Sequence, residues 1–532
     1  GDNEPDRLSR LRWLNSTLAE DDGIVIPYLP LQADGNSVRC LGREVVFGPD
    51  GFPVNIKSFY NESVTKIQNE SREILSAPIR FVVETEKGIE PWKNGAFRPV
   101  KKGEGAVAWE VRNEIPGLKM EGLAQMEFEG NIDYKLVLTA TEDMDIKDIR
   151  LEIPMNIEAT KYMMGLGEKG GFRPETVNWK WAVEKNQDGP WVGDVNAGLQ
   201  VRFRDDNYSR PLNTNFYQQK PLNMPVSWSN DGKGGISITA KDEGTTMITS
   251  FSGNRKIKKG EKLHFYFNLL ITPFHPIDAK NHWHNRYYHS YQPIDSAIAY
   301  GANTINVHHA NEINPFINYP FSRPDKMKAY IDEAHAHDLK VKIYYTVREL
   351  TNRAPELSML RSLGEEVFSY GDGGGFSWLQ EHLDSNYIAA WFVPSLKDAA
   401  IVNRGISRWH NFYIEGLHWL VENIGIDGLY IDDLAFDRTS MKRIRKVLKR
   451  GNPNSLIDLH SANQFNPRDG FANSANLYLE HFPFIDRLWF GEYFNYDLPP
   501  EFWLIEASGI PYGLMGEMLQ DGGNPWRGMV LA

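Results

Sequence analysis

Two adjacent aspartates, Asp432 and Asp433, close the segment Asp427-Gly-Leu-Tyr-Ile-Asp-Asp433. In an extended chain Leu429 and Ile431 share one face, so Tyr430 and Asp432 share the other. Neighbouring carboxylates repel, and a fold keeps that cost chiefly where it uses it. Glu492 and Glu517 each follow a glycine, in Trp489-Phe-Gly-Glu-Tyr493 and Leu514-Met-Gly-Glu-Met518. Two carboxylates flanking a bond, one as acid and one as nucleophile or base, are what glycosidic cleavage requires. Asp432, Glu492, Asp433 and Glu517 are therefore the candidate catalytic residues. His308, Arg348 and His460 can hold hydroxyls, while Tyr430, Trp391, Trp489 and Tyr493 offer flat faces to sugar rings, with Trp503 nearby as a further aromatic wall.

These residues need a scaffold that gathers strand ends. After about residue 276 apolar runs of five to eight residues alternate with helical patterns, which indicates βα units and a parallel sheet. The expected strands are 304–309, 341–347, 389–393, 429–433, 456–460, 488–493 and 512–518. Alternation puts Asn306 and His308 inside the first, Tyr344, Thr346 and Arg348 inside the second, and Asp458 and His460 inside the fifth. The clearest helix carries Trp409, Phe412, Tyr413, Leu417, Leu420, Val421 and Ile424 at three- and four-residue spacing, with Gly425 as its stop. Other helices are expected near 324–337 and 439–449, the latter basic and read as a solvated outer face. Seven strands suggest an α/β (β/α)8 (TIM-type) barrel whose last strand is uncertain. The chain stops at Met529-Val-Leu-Ala532, about where an eighth strand would begin, so a shortened C-terminus is expected.

Up to about residue 275 the rhythm has period two. Met126 and Phe128 alternate with polar neighbours, Gly130-Asn131 marks a hairpin, and Ile132, Tyr134, Leu136 and Leu138 share the next face. This predicts an N-terminal antiparallel β-sandwich over 1–275, followed by a catalytic barrel over 276–532. A single helix is expected in the first half, at Asp6–Ala19.

Composition narrows the partners. The 532 residues include 58 Lys+Arg and 70 Asp+Glu, a formal charge of −12, which disfavours nucleic acid and anionic membranes. No run approaches the ~18 apolar residues of a membrane helix. Aromatic residues make up 12% of the chain, a surplus suited to carbohydrate. Cys40 stands alone, which rules out an intrachain disulfide. The start at Gly1-Asp-Asn-Glu-Pro5, without Met, predicts a mature secreted, periplasmic or cell-surface protein with its signal peptide removed. The run Gly371-Asp-Gly-Gly-Gly375 lacks Lys-Ser/Thr and reads as a loop, not a phosphate cradle. His308 and His309 are adjacent and should face opposite sides of a strand, which weakens a zinc site. No cofactor is expected, although Asp432 and Asp433 leave Ca²⁺ open as a ligand without any twelve-residue calcium loop.

The segment Asp427-Gly-Leu-Tyr-Ile-Asp432 resembles the fourth-strand motif of barrel glycoside hydrolases of the alpha-amylase and alpha-glucosidase/alpha-galactosidase kinds. That resemblance implies that Asp432 is the nucleophile. It also implies that the N-terminal sandwich is of the galactose-mutarotase-like type. Asn303-Thr-Ile-Asn-Val-His-His309 and Tyr344-Tyr-Thr-Val-Arg-Glu349 extend the likeness to a family of bacterial glycoside-hydrolase-like proteins of unassigned activity. Tyr430 stands where the amylase pattern has Arg, and Glu492 where the galactosidase pattern has Asp. The expectation is a glycosidase acting on an oligosaccharide or polysaccharide, retaining, with Asp432 as nucleophile, Glu492 as acid/base and Asp433 orienting Asp432 or binding a hydroxyl. A non-catalytic carbohydrate-binding protein on a hydrolase fold and a metal-dependent barrel hydrolase are the alternatives.

Overall fold

The computed structural model describes residues 11–95, 97–181, 187–208, 223–241, 244–374, 386–404, 406–461, 465, 470–492 and 494–517. Between Gln32 and Thr272 every paired strand is antiparallel. A five-stranded sheet (32–73) precedes a nine-stranded and a seven-stranded sheet that face each other. Period-two patterning explains the pairing. Met120, Tyr134, Leu136, Phe265 and Phe267 are fully buried, and Phe81 of the seven-stranded sheet meets Phe265 of the nine-stranded sheet at 5.5 Å between centroids. The expected hairpin forms, with Met126 opposite Ile132 and Gly130 at φ +88° in the turn.

The outer face of the nine-stranded sheet is polar, and much of it meets the C-terminal half. Arg202 is buried and donates to the carbonyl of Asn476. Glu127 and Glu129 both pair with Arg438.

Seven strands of the C-terminal half lie in one parallel sheet, in chain order: β1 (Tyr287–Tyr288), β2 (Thr304–Val307), β3 (Lys340–Tyr344), β4 (Gly428–Asp432), β5 (Leu456–His460), β6 (Arg487–Trp489) and β7 (Met515–Gly516). Among the described residues β1 and β7 do not pair, so the sheet forms an open section of barrel. Two expectations change. Residues 389–393 are strand, but they pair antiparallel with 398–402 in a separate three-stranded sheet completed by 349–351. A two-residue strand, β1, too short to show a hydrophobic period, takes first place. The two changes offset each other, so Asp432 still ends the fourth strand.

Helix α1 (Pro324–Ala336) packs against β3. Helix α2 (Trp409–Trp419) runs on through one wide turn to Ile424, and Gly425 stops it at φ +80°. Gly428 is required for a different reason: a Cβ there would lie 1.8 Å from the Leu456 carbonyl oxygen, so only glycine lets β4 start so close to β5.

Helix α3 (Arg438–Gly451) is not a solvated basic face. Arg443, Arg445 and Lys446 are buried. Arg443 donates to the carbonyls of Leu18 and Ser16, Arg445 grips Asp486 with both terminal nitrogens, and Lys446 reaches Asp21. The N-terminal segment thus lies across the helix, its acidic residues answering the basic ones. That segment forms only a short 3₁₀ turn at Leu11–Asn15, and the rest of the expected 6–19 helix up to residue 10 lies outside the described residues.

Candidate active site

Asp432 lies opposite His460 in the β4–β5 register, at the C-terminal edge of the sheet. Strand alternation would send Asp433 to the opposite face. Instead its backbone takes φ +58°, a left-handed conformation that costs a non-glycine residue roughly 1–2 kcal/mol. This turn brings both carboxylates to the same guanidinium. Arg348 donates through one terminal nitrogen to Asp432 at 3.0 Å and through the other to Asp433 at 3.4 Å. Its Nε donates to Glu349, whose side chain is fully buried, at 2.9 Å. Three carboxylates therefore fix one fork of donors.

His460 sits between Asp432 and Glu492. Nδ1 is 2.9 Å from Asp432 and Nε2 is 2.7 Å from Glu492. Burial alone would lower this imidazole, but the two hydrogen bonds and the charges of Asp432 and Asp433 outweigh it and raise the pKa to about 10. The ring is thus an imidazolium that donates on both sides. Burial opposes ionisation of Asp432, yet Arg348 and His460 hold it well below the usual carboxylate range, and the Tyr344 hydroxyl adds a donor at 3.1 Å. Asp433 goes the other way: burial and the neighbouring Asp432 charge raise its pKa above the usual value. The Tyr478 hydroxyl donates to it at 3.1 Å. Glu492 is held low, first by its hydrogen bond from His460.

Beneath the carboxylates lies an aromatic floor of Tyr344, Tyr430, Trp489 and three histidines. Tyr430 stacks near His460, with centroids 6.0 Å apart and planes at 17°, and meets Trp489 edge-on at 5.6 Å. His308 lies 4.3 Å from the Tyr344 ring. His309 does not point away from it: the strand ends at Val307, alternation lapses, and the two imidazoles lie 4.6 Å apart, both over Tyr344. Burial keeps them neutral, pushing His309 down to about 3 and His289 down to about 4. Among the described residues no group of three or more His, Cys, Asp or Glu side chains is arranged to hold a metal ion. Arg348 lies beside both Asp432 and Asp433, and His460 lies beside Asp432.

The structure thus gathers Asp432, Asp433, Glu492, Arg348, His460, His308, Tyr430 and Trp489. Trp391 is 54% exposed on the inserted sheet, and its backbone N–H donates to Glu349 at 3.1 Å, which places it at the rim. Trp503 packs half-buried against the main core instead of joining this floor. Tyr493 lies outside the described residues. Glu517 does not join the cluster. It pairs with Arg487 at 2.9 Å, beside the buried Lys342–Asp458 pair lower in the barrel, and burial raises its pKa. Glu349, His289 and Tyr478 escaped the sequence reading, and His309, expected on the opposite face, joins them. His289 follows a strand of only two residues, whereas Glu349 could have been noticed as the carboxylate next to Arg348.

The family description of the glycoside hydrolase 123 TIM-barrel domain matches residues 278–532, and that of its third domain matches residues 31–273. The chain belongs to glycoside hydrolase family 123. This family 123 protein is accordingly a glycoside hydrolase, with a carbohydrate as substrate. A comparison with curated protein sequences found no match. Among solved structures, a GH36 alpha-galactosidase from Geobacillus stearothermophilus is similar at 8% identity and a TM-score of 0.35, over 95% of this chain and 85% of that one. An alpha-N-acetylgalactosaminidase from Bifidobacterium bifidum is similar at 9% identity and a TM-score of 0.32, over 90% of this chain and 83% of that one. A galactose mutarotase related enzyme from Lactobacillus acidophilus is similar at 8% identity and a TM-score of 0.27, over 46% of this chain and 98% of that one.

Proposed function

We propose that this glycosidase cleaves a complex glycan with Asp432 as the anionic partner of the anomeric carbon and Asp433 as the proton donor to the leaving oxygen. One observation carries the assignment. The two carboxylates share Arg348, yet their surroundings push their proton affinities apart, which is how acid and base roles are divided between like groups. Asp432 faces a guanidinium, an imidazolium and a phenol, all donating, and so stays ionised. Asp433 is buried against that charge and holds a proton more readily.

This assignment departs from the one expected for Glu492. A general acid must carry its proton near the working pH. His460 donates to Glu492 and favours its ionised form, so Glu492 serves better to hold His460, and through it Asp432, in place. The floor of Tyr430, Trp489 and Tyr344 supports a sugar face, and neutral His308 and His309 can exchange hydrogen bonds with its hydroxyls.

Asp432→Asn tests the anionic role. It should fold normally, retain its thermal transition and lose at least about 10²-fold in kcat/KM on any hydrolysed glycan. A folded variant with unchanged turnover would overturn the assignment.

A further inference from the structure

Away from the Asp432 pair, a cleft of about 370 Å³ opens between the outer face of the nine-stranded sheet and the start of α3. Asn131, Asp133 and Lys135 alternate onto it from one strand, with Tyr266 and Asn268 from the next. From the barrel side come Arg438, Thr439 and Glu480. Leu434, Ala435 and Phe436 are buried and lie in the chain between Asp433 and the α3 cap at Asp437, so this cleft is not part of the catalytic mouth.

Its chemistry is mixed. The carboxylates of Asp133, Asp205 and Asp206 oppose an anion, and the Arg204 and Arg438 guanidiniums with the Lys135 ammonium oppose a bare cation. Most of these groups already have partners: Arg204 donates to Asp133 at 2.6 Å, and the Tyr266 hydroxyl donates to Asp206 at 3.1 Å. Among the described residues two buried atoms of this lining lack a partner, Arg438 Nε and Asn268 Oδ1. The Asn268 side chain is almost fully buried, its Nδ2 donates to Asn131 at 2.9 Å, and its Oδ1 accepts from no described residue. A buried acceptor without a donor costs roughly 1–3 kcal/mol, so it marks a place where a donor belongs.

We infer that this interdomain cleft is a second carbohydrate-binding site, taking one neutral sugar unit whose hydroxyl donates to Asn268 Oδ1. A hydroxyl both donates and accepts, so a neutral polyol can meet carboxylates and guanidiniums in the same pocket. The volume falls within the size of ordinary small-molecule sites, and the Tyr266 ring offers a face for stacking.

The full wild-type chain is titrated with glucose, galactose, mannose and N-acetylglucosamine by calorimetry and ligand-observed NMR, with calcium chloride and inorganic phosphate as ionic arms. Free monosaccharides contain no glycosidic bond to cleave, so the outcome is separate from catalysis. The expected result is binding of at least one sugar that Asn268→Ala and Tyr266→Ala each weaken by about tenfold or more. Tyr266→Ala should leave kcat/KM within about twofold. If Asn268→Ala does not fold, Tyr266→Ala at the cleft rim decides alone. The inference is overturned if no sugar binds, if sugar binding is indifferent to these variants, or if the variants abolish calcium or phosphate binding and no sugar binding.

Discussion

At Asp433 the backbone stores strain in order to put a second carboxylate where alternation forbids it. This has a kinetic consequence. If Asp433 donates the proton, kcat/KM must fall as pH rises through its pKa, which lies above the ordinary aspartate value of about 3.9. Asp432 imposes the opposite limb: it must be ionised, and Arg348 and His460 keep it so to well below the usual range. The profile should therefore be a broad plateau on its acid side with its upper limb set by Asp433. Asp433→Asn should lose that upper limb along with most of the rate. A limb that survives in Asp433→Asn belongs to another group. At this scale the sequence was informative about identity and weak about direction. Tyr430, Asp432 and His460 lie on the predicted side because regular strands obey a two-residue period, whereas Arg348 reaches the site from the turn beyond β3. His309 and Asp433 lie just beyond strand ends, where that rule lapses and a single φ decides. Glu517 was misplaced because a glycine before a glutamate says nothing about the layer in which the side chain ends.

Elements differ in legibility for a similar reason. Strands β3, β4 and β5 and helix α2 are long enough to show a period, and all lie close to where the pattern placed them. Strand β1 has two residues and no pattern to show. Residues 389–393 are apolar and extended as expected, but nothing local distinguishes a barrel strand from a strand of the inserted sheet. The basic face of α3 was misread because only the tertiary structure reveals the acidic N-terminal segment laid over it. Another helix, 500–506, ends on Glu506, which is almost fully buried beside the loop carrying Lys169. Burial pushes the Glu506 carboxyl up to about 8, against the pull of Lys169. A carboxyl raised in the folded state makes no demand below its unfolded pKa of about 4.3 and destabilises increasingly as pH rises through about 8. Glu506→Gln should therefore match wild type in thermal midpoint near pH 4 and exceed it at pH 8. Equal midpoints at both pH values would mean that Glu506 is ionised without penalty.

On the scale of the whole molecule, the two halves are joined by charge as well as by apolar contact. Glu129 is fully buried on the sandwich and meets Arg438 at the head of α3, which also holds Glu127, while Lys442 adds a second cation. Removing one partner of such a buried group leaves an uncompensated charge, a loss of about 3–5 kcal/mol. Arg438→Met should lower the unfolding free energy measured by denaturant titration by that amount, and simultaneous replacement of Glu127 and Glu129 by Gln should recover part of it. Additive losses instead of recovery would show that these groups do not act as one network. Asp133 and Lys135 alternate with the apolar Ile132, Tyr134 and Leu136 along one period-two strand. Its role as an interdomain wall became visible only once α3 was placed against it.

These scales meet at the Asp432–Asp433 pair, and the leaving-group dependence of hydrolysis tests it most directly. Glycosides whose leaving group is already acidic need no proton donor. Asp433→Asn should thus lose about 10²–10⁴-fold on a glycan but far less on an activated aryl glycoside, whereas Glu492→Gln should lose similarly on both. The opposite pattern, with the activated substrate rescuing Glu492→Gln and not Asp433→Asn, would contradict the assignment and make Glu492 the acid.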